Sequence, residues 1–136
     1  MGRTGAPRNE VYVVMKSAAL ALLVALGTGG SALAGQADVV GAVVDQRSRG
    51  IYDFDVTVRS HDTGWEAYAD RIEVLGPDGG VLGTRVLEHP HEQEQPFTRD
   101  VHGVVIPPGI VSVTIRAHHK TAGYDGAVLT VSLRGK

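Results

Sequence analysis

His89 and His91 stand either side of Pro90 in the run GTRVLEHPHEQEQPFTR, residues 83–99. Residues two apart in an extended chain point the same way, and proline stiffens the backbone between them. Neutral imidazoles held so suit copper or zinc, with nickel a further candidate, and Glu88, Glu92 or Glu94 could add oxygen ligands. His61 and His119, each at the end of a strand-like run, complete the candidate metal set. H-x-H is a common pattern. The plainer reading makes both side chains loop histidines that hydrogen-bond backbone.

Other chemistries find less support. The chain has no cysteine, which excludes disulfides, thiolate zinc sites and catalytic thiols. Ser48, Ser60, Ser112 and Ser132 include no G-x-S-x-G setting for an activated nucleophile. Asp78 lies in a PDGG turn that lacks the spacing of a calcium loop. A paired-carboxylate glycosidase needs a larger cleft than so small a domain offers. The composition therefore argues against an enzyme. A net charge of -2 has the wrong sign for a nucleic-acid binder.

The elements that must position these residues are strands. Ala37–Asp45 is β-branched. Ile51–Ser60 alternates, with Tyr52, Phe54, Val56 and Val58 on one face and Asp53, Asp55, Thr57 and Arg59 on the other. Tyr68–Leu75, Val81–Glu88, Phe97–Ile106, Ile110–His119 and Ala127–Leu133 follow, separated by Gly- and Pro-bearing turns. In the sixth run Val111, Val113, Ile115 and Ala117 face inward, with His119 in the same phase and His118 in the other. Seven short strands predict an all-β, seven-stranded antiparallel sandwich on an immunoglobulin or fibronectin-III plan, with a small barrel as the alternative. If every strand reverses direction, the loops carrying His61, His89, His91 and His119 share one pole. The only tryptophan, Trp65, is expected to be a core plug or lid beside Tyr68; an aromatic platform for a sugar or peptide is the functional alternative.

The N-terminus reads as a targeting segment. Lys16 precedes an apolar run from Ala18 to Leu26, and Ala32-Leu33-Ala34 closes it with an A-x-A pattern. The run is too short to span a bilayer stably. Residues 1–34 are thus expected to be a signal peptide, with Met15 an alternative start, and residues 35–136 a single mature domain. Export implies a periplasmic or secreted domain with no membrane insertion after cleavage. Removing Arg3, Arg8, Lys16 and Glu10 leaves that domain more acidic than the whole chain.

The motifs GWEAYAD, GTRVLEHPH and EQPFTR, followed by IPPGIVSVTIRAHHKTAGYDG, resemble a group of small exported bacterial proteins with G-W-x-x-Y-A-D, G-T-R-x-L-x-H-P-H and E-Q-P-F-T-R. The resemblance covers about residues 60–130. It implies an exported β domain and supplies no catalytic residue. It directs attention to Trp65, Tyr68, Asp70, Arg85, His89, His91, Glu94 and Arg99. Arg85 and Arg99 flank the His-Pro-His loop and, if their strands pair, could hold Glu88, Glu92 or Glu94. Two functions follow as expectations. One is an exported accessory module binding copper or zinc. The other is a metal-free domain that binds another envelope protein.

Overall fold

A computed structural model describes residues 12–15 and 35–133. The signal-peptide reading falls mainly on residues outside that range. The described chain is strand and loop: β1 Tyr12–Met15, β2 Ala37–Ser48, β3 Ile51–Ser60, β4 Ala69–Leu75, β5 Val81–Val86, β6 Phe97–Val105, β7 Ser112–His119 and β8 Leu129–Ser132. The last seven form two antiparallel sheets, ordered β2-β3-β6 and β5-β4-β7-β8. The short β1 lies parallel on the edge of β2, with Tyr12–Met15 opposite Gly41–Val44.

The period-2 pattern decides which face each strand buries. On β3, Phe54, Val56 and Val58 are wholly buried while Asp55 and Arg59 are exposed. Val113, Ile115 and Ala117 do the same on β7. These faces meet Ala42, Val44, Phe97, Val101, Ile72, Val74, Leu129 and Val131 in one core between the sheets. Each such side chain contributes about 1.5–3 kcal/mol on burial, so a core of aliphatics and two phenylalanines suffices without disulfides. Gly50 closes the β2–β3 hairpin at φ 76°, a backbone angle that a side chain disfavours.

The strands end differently from the sequence expectation in two instructive places. β5 stops at Val86, because Leu87 N–H turns to donate to the Asp70 carbonyl and its side chain drops into the core. β7 begins at Ser112, so Val111 is exposed rather than inward; its carbonyl accepts from Leu133 N–H. β5 and β6 also lie in different sheets. Arg85 and Arg99 are therefore not cross-strand neighbours, and the expected shared grip on Glu88, Glu92 and Glu94 is not the arrangement found.

The chain changes sheet at 61–68 and again at 87–96, and these two crossings share a pole with the 120–128 loop. His61 N–H donates to the Gln36 carbonyl, and Lys120 N–H to the Tyr68 carbonyl. The 120–128 loop is seated on the start of β2. Asp38 accepts from Gly35 N–H and Ala127 N–H, and Gly126 packs so closely that a Cβ there would overlap the Ala37 carbonyl.

Candidate functional site

The pole is assembled around Asp62, a buried carboxylate just past the end of β3. Its Oδ1 accepts from Ser60 Oγ at 2.7 Å and from Ala69 N–H at 3.0 Å. Its Oδ2 accepts from His91 N–H at 2.8 Å. One side chain thus ties β3, the start of β4 and the His-Pro-His loop. Gln95 adds a second tie: its Oε1 accepts from Ser60 N–H, and its Nε2 donates to Ser60 Oγ and the His91 carbonyl. The peptide bond between Gln95 and Pro96 is cis. Together the Asp62 and Gln95 bonds satisfy the backbone of the loop and fix its shape.

His91 is the loop's inner residue, only 4% exposed. Its ring stacks on Phe97 with centroids 4.0 Å apart and planes 11° apart. Arg99 Nη2 donates to His91 Nε2 at 3.1 Å, so the neutral ring carries its proton on Nδ1. That buried Nδ1 has no hydrogen-bond partner among the described residues; Asp62 Oδ2 lies 3.8 Å away. Burial holds the His91 pKa below the ordinary histidine value. The neighbouring Arg99 and His89 push the same way, against Asp62 and Glu94.

His89 is the outer residue, and it is exposed. Its ring lies 4.6 Å from that of His91, and its Nδ1 donates to the Pro90 carbonyl at 3.0 Å. Nε2 is left unprotonated in the neutral form and facing no partner among the described residues. Trp65 is 64% exposed, so it is no core plug. Gly64 and Ala67 close a tight bridge that throws the indole outward, where it meets Tyr68 edge-on at 5.8 Å. Trp65, His89, Pro90, Glu92, Gln93 and Glu94 line one open cleft of about 440 Å³. Tyr68 is buried beneath, with Lys120 Nζ 5.4 Å from its ring.

The four candidate metal ligands are not gathered. His119 is 1% exposed and fully engaged: Nε2 donates to the His61 carbonyl, and Nδ1 accepts from Thr121 N–H and Oγ. His61 meets it through backbone alone. Among the described residues no group of three or more His, Asp or Glu side chains is placed to hold a metal ion. A metal on His91 Nε2 would have to displace the Arg99 guanidinium.

Of the motif arginines, Arg99 pairs with Glu94 at 3.2 Å, which holds that carboxyl below its usual range. Arg85 instead donates to both the side chain and the carbonyl of Asp100. The Asp100 carboxyl is held low chiefly by the His102 hydrogen bond, with Arg85 adding to it. Asp70 sits in a β-bulge on β4 and accepts from His118 Nδ1 at 2.6 Å.

A second polar cluster lay unnoticed in the sequence. On the outer face of β4 and β7, Glu73 accepts from Arg116, Arg71 and Tyr124. Burial alone would raise its pKa, but these donors bring it below the usual glutamate value. The Arg116 guanidinium carbon stands 3.7 Å from the Tyr124 ring centre, and His118 meets the same ring edge-on. This fixes the 120–128 loop on the sheet. The alternation of Arg71 and Glu73 with Ile72 and Val74 was the available signal. It marks an outer face where acid and base oppose the outward Arg116 of a neighbouring strand.

No family model matches the chain, and no solved structure matches it. A protein of Halomicrobium mukohataei that carries the name "Putative lipoprotein" is 34% identical over 96 residues, 71% of this chain and 47% of that protein. The chain thus spans about half the length of that curated relative.

Proposed function

We propose that this chain is an exported envelope module on a fibronectin-III-like plan, and that its 61–68, 87–96 and 120–128 pole binds a cationic segment of a partner protein. The observation that carries this reading is the exposed indole of Trp65 beside His89 and Pro90, in a cleft whose charged lining residues are Glu92 and Glu94, Glu94 being paired with Arg99 and Glu92 left for a partner's cation. An indole face next to carboxylates favours Lys or Arg side chains, by about 0.5–2 kcal/mol per cation–π contact. The buried bonds of Asp62 and the part-buried bonds of Gln95 hold the surface ready, which lowers the ordering cost of association. The strand order β2-β3-β6 against β5-β4-β7-β8 supports the fold plan, and the lipoprotein name of the Halomicrobium relative supports a periplasmic or secreted setting.

A second reading keeps copper or zinc as the cation. The open Nε2 of His89 and the short distance between the two imidazole rings favour it. Titration calorimetry of the full chain with a lysine- and arginine-bearing decapeptide, its glutamate counterpart, Cu(II) and Zn(II) separates these readings. Peptide binding that weakens with salt and vanishes in Trp65→Ala supports the first. Micromolar metal binding lost in His89→Ala supports the second. Binding of the basic and acidic peptides alike would remove the first.

A further inference from the structure

The opposite pole carries a different kind of cleft. Gly50, Ile51, Tyr52, Val105, Ile106, Pro107, Pro108 and Ile110 wall an open, largely apolar groove of about 640 Å³ between the β2–β3 hairpin and the turn after β6. Its size and lining are those of a small-molecule site, a few polar groups set in an apolar wall. Val105, on its lip, is 63% exposed and continues the apolar wall to the surface. The floor is rigid: Ile106 is buried, and its N–H donates to the Gly50 carbonyl.

The polar lining is equally informative. Arg49 is the one charged residue among those lining the groove, and no carboxylate lines it. Its neighbour Arg47 is neutralised by Asp53 at 3.0 Å, whereas Arg49 has no ion-pair or hydrogen-bond partner among the described residues. The Tyr52 hydroxyl likewise has no partner there, although its ring is half-buried against Phe54. A guanidinium and a phenol donor beside an apolar trough complement a hydrocarbon chain that ends in an anionic head group, of which the carboxylate is the simplest.

We propose that this groove binds a single-chain amphiphilic carboxylate of the fatty-acid class, its chain along Ile51, Val105 and Ile110 and its head group on Arg49 and Tyr52. The site is separate from the Trp65 pole and does not depend on how that pole functions.

The test uses decanoate below its micellar range, with decanol and decyltrimethylammonium as matched probes. Calorimetry on the full chain gives affinity, and amide chemical-shift mapping gives location. Decanoate binds tighter than about 1 mM, at least tenfold more tightly than either control, with shifts at residues 49–52 and 105–110. Arg49→Gln weakens decanoate about tenfold or more, the loss expected for a charge-assisted hydrogen bond, and leaves decanol unchanged. Val105→Glu, at an exposed position that leaves the fold intact, abolishes decanoate binding. Equal affinity for the three probes, insensitivity to Arg49→Gln, shifts elsewhere, or no binding would each overturn the proposal.

Discussion

Replacing Asp62 by alanine strands three donors at once. Ser60 Oγ still accepts from Gln95 Nε2 and its hydroxyl proton can rotate away, but the N–H groups of Ala69 and His91 cannot leave their buried positions. A buried donor left without a partner costs about 1–3 kcal/mol. Two of them bring the expected loss to about 2–6 kcal/mol, against a total stability of about 5–15 kcal/mol for a domain of this size. Urea unfolding followed by far-UV circular dichroism reads this directly. With a slope of about 1.5 kcal/mol/M, a loss of about 3 kcal/mol lowers the midpoint by about 2 M. Asp62→Asn should fall between alanine and wild type, because its amide keeps one acceptor and turns a donor toward another donor. A midpoint for Asp62→Ala within about 0.3 M of wild type, at unchanged slope, would refute the reasoning that this carboxylate organises the pole.

Four further outcomes follow from the same geometry. His91 has its pKa lowered in the fold, so the unfolded chain takes up the proton first; stability is present above about pH 6.5 and falls as pH drops through the window below it. His91→Phe keeps the stack on Phe97, and it should flatten that part of the stability–pH curve measured by thermal melts. Glu73→Ala leaves Arg71 and Arg116 without their shared carboxylate and should cost about 1–3 kcal/mol in chemical denaturation. Gly126→Ala drives a methyl into the Ala37 carbonyl and should cost about 1–3 kcal/mol or more, with faster amide exchange in the 120–128 loop. Trp65→Ala should leave the melting curve nearly unchanged, within about 0.5 kcal/mol, because the indole is mostly in solvent.

Period-2 alternation made the strands legible, and with them the shared pole of the three loops, because one buried face per strand leaves a strong local signal. His119 was placed inward and His118 outward by the same phase, and both lie so. The site itself was less legible. Whether a histidine is a ligand or a satisfied core residue depends on what its ring nitrogens meet, and His119 meets Thr121 and a carbonyl 58 residues away in sequence. Asp62 carries no local signal of its role, since its three donors come from Ser60, Ala69 and His91. A lone aromatic in an aliphatic chain suggests a core plug or a lid; the tight turn at Gly64–Ala67 excludes the plug by turning Trp65 outward over Tyr68. Arg85 found Asp100 because β5 and β6 face each other across the sandwich, a relation that sequence neighbourhood hides.

Trp65 is the only tryptophan in the chain, so its emission reports on the pole without any label. The most direct measurement is its fluorescence in the full chain, alone and then titrated with the lysine- and arginine-bearing decapeptide. The account predicts a red, water-exposed emission that shifts blue and saturates with the basic peptide, with no response to the acidic one and a weaker response in His89→Ala. A blue, buried emission at the outset, or a spectrum unmoved by the basic peptide, would contradict the claim that this pole is a preformed binding surface.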